Sequence, residues 1–207
     1  MIGEMAGECY GSDTSDKDKN YKRGLEMLKS NHGRTLEFPD IYAKFEGYSA
    51  RVIREWYTHL GGSPTRLQSS TRYIDYSDFD CFVPPSINTQ DKKEIYQDAL
   101  NQISVSAREL SNLGVNKEDI ANLLPLGMMT VIVDKRNLRN VIDMSHQRMC
   151  IRAYHEYRKM FNDYSKALRE YSNEWQYIVD NYFMPKCEYL GRCDEKNSCG
   201  KCLTNKQ

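Results

Sequence analysis

From Arg136 onward, apolar residues fall at helical spacing almost without interruption: Leu138, Val141 and Ile142, then Ile151, Tyr154, Tyr157, Phe161, Tyr164, Leu168, Tyr171, Trp175 and Ile178. Residues three and four positions apart share one face of a helix. Globular helices average about 11–12 residues, so the stretch predicts more than one helix, with a break near Ser145. A chain that spends so much of its length on this pattern is committed to a helix-rich fold. The tyrosines on the stripe read as packing, because an amphipathic ring can bury its body and keep its hydroxyl wet.

Upstream signals are more varied. Residues 1–14 lack a pattern, and little order is expected there. Ser15 followed by Asp16 and Asp18 reads as a helix start, with Tyr21, Leu25 and Leu28 continuing it and Gly33 as the stop. His32 at that stop reads as a partner of the helix dipole. Ile41, Ala43 and Phe45 alternate with Tyr42, Lys44 and Glu46, which predicts a half-buried strand. Ser49 then caps a helix whose Val52, Trp56 and Leu60 face the core, with Glu55, Thr58 and His59 on a neighbouring stripe. Ile95, Ala99, Ile103, Ala107 and Leu110 mark a long amphipathic helix, and Asn116 caps a short one running into Leu124-Pro125. Val131-Ile132-Val133 reads as a short buried strand. The prediction is an α/β fold of the α+β type: a small antiparallel or mixed sheet with long helices. The character changes at Pro185, which divides the chain into a main domain over 1–184 and a Cys-containing tail over 185–207.

Lys plus Arg equals Asp plus Glu, 29 each. Polyanion binders carry a basic excess, so no nucleic-acid partner is expected. No apolar run approaches the ~20 residues of a membrane helix, and the N-terminus lacks a hydrophobic signal core. With seven Cys then expected to be reduced, the expected location is the cytoplasm.

Residues 54–76 carry the densest chemistry. The helical run stops at Gly61-Gly62, and a loop rich in Ser, Thr, Arg and Gln follows, ending in Ser69, Ser70, Thr71, Arg72 and Tyr73. Hydroxyls and exposed backbone N–H groups cradle an anion, Arg pairs with it at two points, and Tyr offers a face to a planar ring. Ordinary loop chemistry accounts for the same residue types, so further residues must decide. Ser70 is not read as a nucleophile, since no His and acid stand at a recognisable spacing. Downstream, Leu124-Pro125-Leu126 precedes the second strand. Arg136 and Asn140 are read as one helical turn apart, as are Arg148 and Arg152. Two such pairs beside an apolar turn suit an anion and a carbonyl. Cys150, next to Arg148 in sequence, reads as a small apolar residue inside that helix.

Taken in order, these residues resemble the flavin-dependent thymidylate synthases. The residues that carry the resemblance are Thr58-His59-Leu60, Ser70-Thr71-Arg72-Tyr73, Leu124 to Leu126, Arg136 with Asn140, and Arg148 ahead of Ala153, Glu156 and Arg158. His32-Gly33 and Phe38 are similar to the family's turn before its first long strand. The likeness runs from about residue 20 to 165. The departures are specific: Thr58 and Leu60 stand where the family's triplet has outer arginines, Glu55 stands for a Gln and Gln68 for a Glu. The intervening loop is longer and gains Arg66, which is expected to restore lost charge.

The resemblance implies reductive methylation of dUMP to dTMP, with methylenetetrahydrofolate as carbon donor and FAD carrying hydride from NADPH. It implies a homotetramer with sites shared between subunits. It implies substrate contacts from Glu55, Thr58, Gln68, Ser69, Ser70, Thr71, Arg72 and Arg148, with Arg148 also catalytic. Flavin contacts fall to His59, Gln68, Asp134, Arg136 and Asn140. The altered triplet leaves open another pyrimidine nucleotide as substrate. A non-enzymatic nucleic-acid-binding protein with a metal-binding tail is the remaining alternative. In that tail, Cys187, Cys193, Cys199 and Cys202 offer four thiols, but only the last two have the close spacing of a zinc site. No metal is expected.

Overall fold

The structure is a computed structural model that describes residues 1–201. Its helices and strands run α1 (Ile2–Cys9), α2 (Lys17–Lys29), β1 (Asp40–Ser49), α3 (Ala50–Trp56), β2 (Thr65–Gln68), α4 (Gln90–Asn112), α5 (Lys117–Ile120), β3 (Met129–Asn137), α6 (Leu138–Arg148), α7 (His155–Tyr171), α8 (Asn173–Tyr182) and α9 (Lys186–Leu190). The strands form one antiparallel sheet in the order β1-β3-β2. This is the small sheet with long helices that the residue pattern predicts. The chain divides into two compact units. One holds residues 1–43, 58–65 and the described chain from Asp134 onward; the other holds 44–57 and 66–133.

In the first unit, the N-terminal residues expected to lack order form α1, which packs against α2. So short a helix is marginal alone and depends on packing. Two glycines provide it. A Cβ on Gly3 would lie 1.8 Å from the Asn20 carbonyl oxygen, and Gly24 faces the Gly3 backbone. Arg23 Nη1 donates to the Gly3 carbonyl at 2.9 Å. The α2 cap is Asp16, one residue later than expected: its carboxylate accepts from Asp18 and Lys19 N–H, while Ser15 Oγ donates to Asp13. The helix closes at Asn31, whose φ is +51°, before Gly33 is reached. The His32 backbone N–H, donating to Met27 O at 2.9 Å, makes that closure.

The C-terminal helical period is broken over Met149–Tyr154 rather than near Ser145. Ser145 is buried and donates to Ile142 O at 2.7 Å, a back-bond that a helix tolerates. Tyr157, Met160, Phe161, Tyr164 and Leu168 are buried, and Phe161 meets Phe183 from beyond α8 at 5.9 Å between ring centroids. The packing expected of the tyrosine stripe is seen at Tyr157 and Tyr164, while Tyr154 is half-buried in the turn before α7 and Tyr171, which ends α7, is exposed. Ser172 caps α8 by accepting from Trp175 N–H.

In the second unit, Ser49 Oγ accepts from Val52 N–H and starts α3. Val52, Ile53 and Trp56 are buried, and Trp56 lies against Phe45 at 4.8 Å. The start of α3 is held on the Leu-Pro-Leu turn, with Ala50 N–H donating to Met128 O and Arg51 N–H to Leu126 O, both at 2.8 Å. Because α3 ends at Trp56, Leu60 is exposed rather than on a core face. The strand expected at 131–133 is longer and half-buried: Thr130 and Ile132 point in, and Val133 points out. Helix α4 forms as predicted, but the described residues cover its apolar side only in part: Ile95 is 73% exposed, Ile103 and Leu110 are half-buried, and Ala107 is buried.

Candidate active site

In the first unit, the strand alternation of β3 continues through Asp134 and Arg136 and turns both inward. Arg136 is therefore a strand residue, not the opening of a helix, and it reaches Asn140 over the start of α6. Its Nε and Nη2 donate to the two Asp134 carboxylate oxygens at 2.6 and 3.0 Å. Its Nη1 donates to Asn140 Oδ1 at 2.7 Å and to the His59 carbonyl at 3.2 Å. The guanidinium is almost wholly buried. A buried charge needs this degree of pairing.

Arg148 closes α6. Its Nε donates to His59 Nε2 at 2.9 Å, and its guanidinium carbon lies 4.6 Å from the Tyr157 ring centroid. Tyr157 also meets His59 edge-on at 6.1 Å. Burial, then the Arg148 and Arg136 charges, push the His59 imidazole down to about 4. At neutral pH it is uncharged, and its Nε2 lone pair receives the Arg148 proton, which leaves the ring proton on Nδ1. His59 sits beyond the end of α3, so Thr58 and His59 do not share a helical stripe with Glu55. Thr58 is exposed, and Glu55 is half-buried on α3. The loop that carries His59 turns at Gly62 and Ser63, with φ of +71° and +52°. Arg152, expected beside Arg148, lies in the turn after α6 and pairs with Glu195 at 3.2 Å. Cys150 occupies the same turn, half-buried, and not a helix interior.

In the second unit, Gln68 ends β2 and its Nε2 reaches Thr130 Oγ1 at 3.5 Å. Ser69 N–H donates to Val131 O. Ser70 Oγ accepts from Arg72 N–H at 3.2 Å, an arrangement that folds the hydroxyl and the amides of Ser70 to Arg72 into a tight turn. Thr71 is half-buried. Arg72 is exposed and paired through Nε with Glu118 at 2.7 Å, and it lies 5.8 Å from the Tyr73 ring. Arg66, expected to restore the lost charge, is turned toward the end of α3. It donates to Tyr57 O at 2.7 Å and stacks on the Tyr57 ring at 4.6 Å, which caps the end of α3.

Sequence reasoning missed Glu118 and Tyr157. Glu118 bears no motif, and Tyr157 is indistinguishable in pattern from the packing tyrosines around it. Among the described residues, no three His, Cys, Asp or Glu side chains stand close enough to hold a metal ion. Cys187, Cys193 and Cys199 are half-buried, and Cys202 lies outside the described residues.

The donor set fits a flavin. The His59 centre offers the half-buried Arg148 guanidinium, a neutral imidazole that keeps its N–H on Nδ1, and a glycine turn whose backbone can approach a ligand closely, while Arg136 and Asp134 are buried behind it. Such groups suit the carbonyl-rich edge and the diphosphate of FAD.

A sequence profile of the family described as thymidylate synthase complementing protein (Thy1) matches residues 1–172. The flavin-dependent thymidylate synthase of Nitratidesulfovibrio vulgaris is 26% identical over 186 residues, covering 84% of this chain and 74% of the relative. That of Pyrococcus furiosus is 26% identical over 201 residues, covering 94% and 80%. Among solved structures, the flavin-dependent thymidylate synthase ThyX from Helicobacter pylori, complexed with FAD and dUMP, superposes with a TM-score of 0.69 at 17% identity, covering 88% of this chain and 94% of that one.

Proposed function

The chain belongs to the thymidylate synthase complementing protein family, and from that premise we propose that it is a flavin-dependent thymidylate synthase, converting dUMP to dTMP. The observation that carries the reading is the His59–Arg148 pair, a neutral imidazole holding a half-buried guanidinium against Tyr157.

Each role follows from what the residue can offer. The substrate presents a dianionic phosphate and a uracil whose ring must become electron-rich at carbon 5. Arg72, with the hydroxyls and amides of Ser69, Ser70 and Thr71, grips the phosphate once it lets go of Glu118. Glu55, Thr58 and Gln68 orient the nucleotide. Arg148 faces the uracil edge and stabilises negative charge that builds on the ring, a preorganised effect worth about 3 kcal/mol. Carbon 5 then bonds to the methylene carbon of methylenetetrahydrofolate and gives up its proton, the two carbon–nitrogen bonds that held that carbon to the folate break so that tetrahydrofolate leaves, and hydride reduces the methylene to methyl. Bound FAD would supply that hydride, taken from NADPH. His59 and Gln68 contact the flavin. Asp134, Arg136 and Asn140 are buried and act through His59, whose carbonyl Arg136 holds.

The family reading brings with it a homotetramer with shared sites, and the partly uncovered apolar side of α4 supports association with a partner surface. Among the described residues, no helix is long and apolar enough to cross a membrane, and the location proposed is the cytoplasm. Titration of the purified protein with dUMP, monitored by the absorbance of bound flavin, tests the reading. A saturable spectral change with dUMP and none with dCMP is expected. A colourless protein that neither retains FAD nor responds to dUMP defeats it.

A further inference from the structure

Arg158 carries part of the family resemblance and is left without a task by the chemistry above. It lies on α7 beside an open cavity of 520 Å³ in the first unit, lined also by His155, Lys159, Asp163 and Lys201. Arg158 Nε is buried and has no hydrogen-bond partner among the described residues. An unpaired guanidinium N–H out of water is costly and marks a place where an acceptor is wanted. The cavity holds three formal cations and one carboxylate, in a chain whose positive and negative side chains balance overall at 29 each. That carboxylate, Asp163, is engaged by Lys159 at 2.6 Å. Asn162 adds an amide, and His155 stands at the first position of α7, where the positive end of the helix dipole favours an anion.

Two further observations tie the cavity to the reaction. Met149, which directly follows Arg148, is one of its walls. The tail supplies Lys201, and Arg152–Glu195 holds the tail near this turn.

We propose that this cavity is a subsite for the anionic appendage of a co-substrate. The shared chemistry is a compact, multiply charged acid. It comes either from the glutamyl carboxylates of the folate or from the 2′-phosphate of NADPH. The inference rests on the thymidylate synthase reading for its choice of co-substrates. The site itself does not depend on that reading.

The test uses the full chain with FAD and dUMP. Binding of tetrahydrofolate bearing one or three glutamyl residues is measured by calorimetry, and so is binding of NADP+ against NAD+. Removing one charge-assisted hydrogen bond corresponds to about tenfold in affinity. The triglutamyl form should bind about tenfold tighter than the monoglutamyl form, and both Arg158→Met and Lys201→Glu should erase the difference. If NADP+ over NAD+ is the preference erased, the subsite stands and the dinucleotide is its source. Lys201 is exposed, so its variant remains informative if Arg158→Met fails to fold. Tri-γ-glutamate alone separates the two ideas: binding without any response to FAD or dUMP keeps the cavity and removes the enzyme. A folded Lys201→Glu protein with every preference unchanged overturns the proposal.

Discussion

Arg148 Nε donates to His59 Nε2 across 2.9 Å, so the strongest cation proposed for the uracil is aimed by a side chain that must stay uncharged. Protonated His59 has no lone pair at Nε2 and would repel Arg148. A histidine with a folded pKa of about 4 against an ordinary value near 6.5 binds its proton more readily when unfolded. Stability linked to this group is therefore complete above pH 6.5 and is lost as pH falls through that window toward 4. Melting temperature recorded across this range should decline in the native protein. The decline should be shallower in His59→Asn.

Arg148→Ala should lower turnover by about 10²–10³-fold while gel filtration shows the same oligomer as the parent. Normal turnover in that variant would remove Arg148 from the proposed chemistry.

The Arg72–Glu118 pair is exposed, and exposed pairs are worth about 0–1 kcal/mol. Glu118→Gln should release Arg72 and lower the KM for dUMP by up to about fivefold. Arg72→Ala should raise it by at least about tenfold, the cost of one charge-assisted hydrogen bond. Steady-state kinetics at fixed ionic strength would read both.

Gly62 has φ of +71°, and a Cβ there would lie 2.0 Å from Asn137 Nδ2. Asn137 caps α6 by accepting from Asn140 N–H, so the side chain cannot yield without loosening the helix that ends in Arg148. Gly62→Ala should cost at least about 1 kcal/mol by urea denaturation and should weaken flavin retention.

Gly3→Ala should lower the unfolding free energy read by urea denaturation by about 1–3 kcal/mol, since the new carbon would meet the α2 backbone itself. Limited proteolysis after Cys9 would report the release of α1.

The helices, the alternating strand at Ile41 to Phe45 and the cap at Ser49 were legible because their signals are local: a period, a hydroxyl, a burial pattern. The site was legible only in part. Residue type picked out His59, Arg72, Arg136 and Arg148, but their geometry depends on where elements end. With α3 ending at Trp56 and β3 extending to Asn137, Leu60 leaves the core face, Thr58 and His59 leave the stripe of Glu55, and Arg136 leaves the helix. The role of Arg66 was not legible, because charge alone does not say whether a guanidinium faces a ligand or a nearby carbonyl. Helix α1 was invisible because its support lies in the close approach of two glycines, which no periodicity records.

The Asp134–Arg136 pair also constrains the history of this lineage. Neither partner can be exchanged alone without stranding an opposite charge inside the protein, a defect of about 3–5 kcal/mol. Descendants and cousins should keep both or have replaced both together. A relative with only one of them should carry a compensating change at the position matching Asn140.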